Sequence, residues 1–144
     1  GTTRSRASPR GWTPTRGRLA IIFFGQQKCV ACRRDSPPAT FEEKAVLIPQ
    51  IPEWSLIEED GIPKLTRRYK VLNFQEALKL TSMIGEIAEE EGHHPRLVTE
   101  WGSLVVTWWT HKIRNLHKND FIMAAKSDAI WEQWDVGASD GRGA

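Results

Sequence analysis

From Asn73 to Gly92 the sequence carries one uninterrupted helical pattern with its own start and stop signals. Asn73 with Glu76 three residues on forms a capping box that opens the helix. Gly92, suited to a left-handed position, closes it, and Pro95 prevents resumption. Phe74, Ala77, Leu78, Thr81, Ile84, Gly85 and Ala88 recur at helical spacing and are expected to face a core. Leu80, Met83 and Ile87 widen that stripe, so the helix is expected to be covered on more than one side, and the chain to form a homo-oligomer.

The flanking segments must supply the rest of the core. Thr40 with Glu43 is another capping box, opening a short helix from Phe41 to Ile48 that Pro49 ends. Trp54 to Ile57 and Ile62 to Val71 read as two strands joined through Asp60-Gly61, a hairpin turn pair. Leu65, Arg67, Tyr69 and Val71 alternate with Lys64, Thr66, Arg68 and Lys70, and the second set is expected to be the more solvated face. Leu97 to Trp101 and Leu104 to His111 form a second hairpin around Gly102-Ser103. Leu104, Val106, Trp108 and Thr110 share one side of its second strand; Val105, Thr107, Trp109 and His111 share the other. A last helix is expected from Lys118 to Trp134, with His117 as N-cap and Asp120 at N3. Helix, hairpin, helix, hairpin, helix is the order of an α+β layer fold: a four-stranded antiparallel sheet with helices packed on one face.

The 144 residues suit one domain, assigned to residues 28–134. Segment 1–27 reads as disordered or non-native, and 135–144 as a flexible tail. The first 25 residues hold five arginines (Arg4, Arg6, Arg10, Arg16 and Arg18) and no acid. The other 15 Lys and Arg therefore face all 18 Asp and Glu, and the folded part is mildly acidic. That balance argues against a nucleic-acid partner, whose phosphates need cations. The longest apolar run, Leu19 to Phe24, is far shorter than the roughly 20 residues of a membrane span. It imitates the apolar part of a signal peptide, but Gly25-Gln26-Gln27-Lys28 offers no cleavage site, so a cytoplasmic protein is expected. Cys29 and Cys32 stand alone as a C-x-x-C with no second pair, and read as two reduced thiols.

The densest chemistry lies in Glu89-Glu90-Glu91-Gly92-His93-His94-Pro95. Three acids in the last turn oppose the helix dipole, a poor choice for stability alone, and favour imidazolium at the two histidines just beyond it. Such histidines can give and take protons near neutral pH. His111 ends the later strand; if that hairpin packs beside the Gly92–Pro95 turn, three imidazoles meet in a cleft walled by Trp54, Trp101 and Trp109. The bland alternative is a solvated acidic helix end with an ordinary strand-end histidine. Adjacent His93 and His94 are an awkward ligand pair, so no metal is expected. No P-loop, dinucleotide fingerprint or nucleophile elbow is present.

Glu89-x-x-x-His93-His94-Pro95 with Trp101, His111 and Asp120 resembles the signature of the pterin-4a-carbinolamine dehydratases. Thr99-Glu100-Trp101-Gly102, Val106-Thr107-Trp108-Trp109 and Asn119-Asp120-Phe121-Ile122-Met123-Ala124-Ala125 are similar to bacterial members. The resemblance covers about residues 28 to 130 and leaves the Arg-bearing segment without a role. It implies an αββαββα fold and a homodimer or homotetramer, with no cofactor because the pterin is the substrate. It also implies loss of water from 4a-hydroxytetrahydrobiopterin to give quinonoid dihydropterin, which recycles the cofactor of aromatic amino acid hydroxylases. His93 and His111 would share the acid and base roles, in either order, and His94 would orient the pterin. Glu89 would set the charge of the cluster, while Trp54, Pro95 and Trp101 would help bind the ring. Asp120 belongs to the signature, yet as an N3 carboxylate it also has a structural reading. Some relatives of this kind act instead as binding modules, as transcription-factor dimerisation cofactors or carboxylase assembly factors. Retention of all three histidines favours the enzyme.

Overall fold

The computed structural model of the chain describes residues 36–137. The expectations for segment 1–27, for Cys29 and Cys32, and for residues 138–144 lie outside the described residues. Helix α1 (Phe41–Leu47) is opened by the Thr40–Glu43 capping box, with both reciprocal hydrogen bonds formed. Pro49 does not stop the chain at once: Ile48–Gln50 adds a 3₁₀ turn, which tolerates proline near its start.

Strands β1 (Ser55–Glu59) and β2 (Ile62–Lys70) form the first hairpin. Its turn needs positive φ at two consecutive residues, and Asp60 (φ 53°) and Gly61 (φ 75°) supply it. Helix α2 (Phe74–Glu91) has the expected bounds, with the Asn73 side chain accepting from Glu76 N–H and Gly92 left-handed at φ 66°. The second hairpin joins β3 (Arg96–Glu100) to β4 (Ser103–Trp108), and α3 (Lys118–Gly137) completes αββαββα. All pairings are antiparallel, in the order β1-β2-β4-β3.

Register explains which face is buried. Leu65 pairs with Trp108, Arg67 with Val106 and Tyr69 with Leu104, so these six side chains share one face. Helices α2 and α3 pack there: Thr81 hydrogen-bonds Thr99 of β3 at 2.7 Å, and Tyr69 meets the Trp131 ring at 5.3 Å. Asp128 of α3 sits over the same face, taking hydrogen bonds from Arg67 (2.6 Å), the Tyr69 hydroxyl (2.6 Å) and the Trp54 indole N–H (3.0 Å). Burial and the Asp128 charge push the Tyr69 hydroxyl far above its ordinary pKa, so it remains a donor to that carboxylate.

Four local expectations are corrected. The buried stripe of α2 is Ala77, Leu80, Ile84 and Ala88, whereas Phe74 and Leu78 are exposed with Met83. The helix carries two apolar stripes, and the sheet covers only one of them. Strand β4 ends at Trp108 rather than His111, because Thr110 bridges to Asn115 around a turn containing Arg114 at φ 51°. Lys64, expected to be solvated, is only 5% exposed. Helix α3 runs to Gly137, three residues past Trp134 and into the segment read as tail.

Candidate active site

The Gly92 cap sets the direction of His93 and His94. Gly92 N–H bonds to Glu89 O and His93 N–H reaches back to Ala88 O at 3.1 Å, turning the chain sharply after the helix. His93 is thereby directed inward, 8% exposed, while His94 points to solvent. The His93 ring lies parallel to Trp108, with centroids 5.7 Å apart and planes within 5°. Its Nε2 is 2.6 Å from Asp120 Oδ1.

Asp120 is fully buried and faces three donors. Besides His93, it accepts from the Thr110 hydroxyl (2.7 Å) and from His117 N–H (2.9 Å). The His117 contact is the N3-to-N-cap half of a capping box, so the structural reading of Asp120 holds. The other two contacts come from distant segments and give the same carboxylate a second task. A carboxylate only accepts, so the shared proton belongs on His93 Nε2, and Nδ1 is left as the nitrogen free to exchange one.

His117 is the N-cap, and its ring does the capping: Asn119 N–H donates to Nδ1 at 3.0 Å. That bond needs the neutral imidazole. Burial holds the ring below its ordinary pKa of 6.5, outweighing the opposite pull of Asp120 and Glu43; His93 and Lys118 reinforce the lowering. The unfolded chain therefore binds a proton that the folded chain resists. The stabilisation is complete above about pH 6.5 and is lost as pH falls through the lower folded value. His117→Asn keeps an acceptor without titrating. Between pH 7.5 and 5.5 its denaturation midpoint is expected to fall less than that of the wild type, and equal falls would clear His117 of the effect.

The other proposed site residues are not all brought together. Glu89 pairs with His94 (2.8 Å), both exposed, rather than with His93. Such a pair contributes at most about 1 kcal/mol. Pro95 is half-buried between His94 and β3. His111 is exposed and stacks on Trp109 at 4.4 Å, on the side of the sheet that carries Lys64, whereas His93 stacks on Trp108 on the helix side. The two imidazoles share the end of β4 but rest on indoles of opposite faces rather than in one cleft. Trp54 lies in the helix-side core, bonded to Asp128 and edge-on to Tyr69, and does not wall the histidine cluster. Trp101, 74% exposed, occupies the β3–β4 turn at the opposite end of β4, about 20 Å of extended chain from the histidines. Sequence reasoning passed over Thr110 and Trp108 as site residues. Their signal was their place near His111 on a face shared with the core and, for Trp108, its part in the Val106-Thr107-Trp108-Trp109 segment of the resemblance.

Among the described residues, no group of three or more His, Cys, Asp or Glu is placed to hold a metal ion. No helix among them is long and apolar enough to cross a membrane.

The family model described as Pterin 4 alpha carbinolamine dehydratase matches residues 37–130, which contain this whole arrangement. The chain belongs to that family of hydro-lyases. A Saccharophagus degradans protein provisionally named pterin-4-alpha-carbinolamine dehydratase is 51% identical over 107 residues, covering 74% of this chain and 95% of the relative. A Gloeobacter violaceus protein with the same provisional name is 54% identical over 113 residues, 78% of this chain and 96% of its own. A Brucella melitensis crystal structure, described as a transcriptional coactivator/pterin dehydratase, is similar with TM-score 0.58 and 26% identity. It covers 65% of this chain and 98% of that one. The dehydratase family and the α+β architecture expected from the sequence both stand.

Proposed function

We propose that this chain removes water from 4a-hydroxytetrahydrobiopterin to give quinonoid dihydropterin, using imidazole acid–base chemistry beside the end of β4. The observation that carries this reading is the buried His93–Asp120 pair, stacked on Trp108, in a chain of this family. An imidazolium gives its proton to the C4a hydroxyl, which leaves as water. A neutral imidazole takes the N5 proton, and solvent exchange resets both rings. His93 and His111 carry these roles. Asp120 fixes the His93 tautomer, as the carboxylate of a catalytic triad orients its histidine.

His94 and Glu89, exposed beside the cluster, orient the pterin, with Pro95 shaping the turn that presents them. Trp54 supports the sheet from the core through Asp128. A contact between Trp101 and the pterin requires a second copy of the chain, since the two ends of β4 are too far apart within one. That fits a homo-oligomer, although the apolar stripe left exposed on α2 is Phe74, Leu78 and Met83 rather than the Leu80, Met83 and Ile87 from which the oligomer was expected. Leu80 is buried and Ile87 packs against the core. Light scattering at micromolar concentration should return a dimer or tetramer, and a monomer mass of 16.4 kDa would contradict it.

The activity would serve an aromatic amino acid hydroxylase in the cytoplasm by recycling its tetrahydropterin, without a cofactor of its own. The purified chain should accelerate dehydration of freshly generated 4a-hydroxytetrahydropterin, followed by absorbance, and a chelator should not change the rate. His94→Ala should raise KM more than it lowers kcat. No acceleration over the spontaneous reaction would leave the binding-module reading, with which the coactivator half of the Brucella structure's description is compatible.

A further inference from the structure

The face of the sheet away from the helices carries one feature that the acid–base reading does not use. Lys64 of β2, on the face away from the helices, is 5% exposed, and lysine is almost never so buried unless paired. Its Nζ sits 3.9 Å from the centroid of the Trp109 ring. The Arg96 guanidinium of β3 approaches the same ring at 5.5 Å. Glu59, the last residue of β1, ties the two cations together: Oε1 accepts from Lys64 at 2.8 Å and from Arg96 at 3.0 Å, and Oε2 from Arg96 at 3.2 Å. These bonds hold the Glu59 carboxyl down at about 2, so it is ionised at any working pH. Three strands thus converge on one indole, and His111 stacks on that indole at 4.4 Å.

A strand exit exposed to solvent would ordinarily leave Trp109 and His111 free to sample several rotamers. Two cations over the ring, braced by a shared carboxylate, remove that freedom. The geometry points to Glu59 as a positioning residue: through Lys64 and Arg96 it clamps Trp109, and the clamped indole sets where the His111 imidazole stands. The inference rests on the acid–base reading of His111 only for its kinetic consequence; the clamp itself can be tested without any activity.

The Glu59 and Arg96 side chains are 39% and 42% exposed, and Glu59→Gln keeps an acceptor for Lys64, so Glu59→Gln and Arg96→Gln should both fold. His111 Hε1 lies near an indole ring current, and its resonance in a proton–carbon spectrum, assigned by its loss in His111→Gln, reports the stacking directly. Both clamp variants should move that resonance toward its position in a free imidazole while leaving His93 in place. In the dehydration assay both should lower kcat by about 10- to 100-fold, the cost of misplacing a proton-transfer group by an ångström or less, with KM within about twofold of wild type. An unmoved His111 resonance overturns the clamp whatever the kinetics show. A moved resonance with unchanged kcat overturns the positioning role while leaving the dehydratase reading intact. If the wild type itself shows no dehydration, that reading fails separately and the resonance still decides the clamp.

Discussion

Asp120→Ala is expected to cost about 3–5 kcal/mol of stability, read as a lower denaturation midpoint with an unchanged slope. The carboxylate is fully buried, and its removal strands three donors at once: the His93 ring, the Thr110 hydroxyl and the His117 amide. Each buried group left unpaired costs about 1–3 kcal/mol, and a domain of this size has only about 5–15 kcal/mol in all. Asp120→Asn retains the volume and one acceptor, so it should fold better than the alanine variant. Its kcat should nevertheless fall about 10²–10⁴-fold, because an amide no longer dictates which nitrogen of His93 holds the proton. An asparagine variant with wild-type turnover would reduce Asp120 to its capping role.

His93→Ala and His111→Ala should each lower kcat by about 10²–10⁴-fold, the usual cost of losing a proton-transfer group. The double variant should lose much less than the product of the two, since groups that act as one unit are not additive. The alanine at position 93 also removes a ring from a buried stack on Trp108, so its stability should be measured beside its rate. His111 is exposed, and its replacement should leave the midpoint within about 0.5 kcal/mol of wild type. A comparable kinetic loss at two positions with such different burial would separate catalysis from folding.

Much of the scaffold was written locally in the chain. The bounds of α2 come from an Asn73 side chain that accepts a hydrogen bond and a Gly92 that adopts positive φ, both properties of single residues. The Asp60-Gly61 turn is of the same kind. The features that could not be read depend on which surfaces meet. Phe74 and Leu78 share helical periodicity with the core stripe, but the sheet lies against the neighbouring stripe of Leu80 and Ile84. The alternating, aromatic pattern of β4 continues through His111, yet the Thr110–Asn115 bridge turns the chain after Trp108.

The site divides in the same way. His93, His94 and Glu89 were visible because helix end, cap and imidazole are adjacent in sequence. The partner of His93 was not, because 27 residues separate it from Asp120 and an N3 carboxylate already has a sufficient local explanation. Trp54 and Trp101 were placed by residue type, and their positions come from the packing of Asp128 and the far turn of the second hairpin.

The most direct measurement is the rate of 4a-hydroxytetrahydropterin dehydration by the folded His93/His111 double variant, set against wild type and the spontaneous background. A chelator should be present throughout. Wild type should run far above background and the double variant should fall close to it, with the chelator making no difference. A double variant that dehydrates the pterin at the wild-type rate, or a wild type that stops with chelator and recovers with zinc, would contradict an imidazole acid–base site at this end of β4.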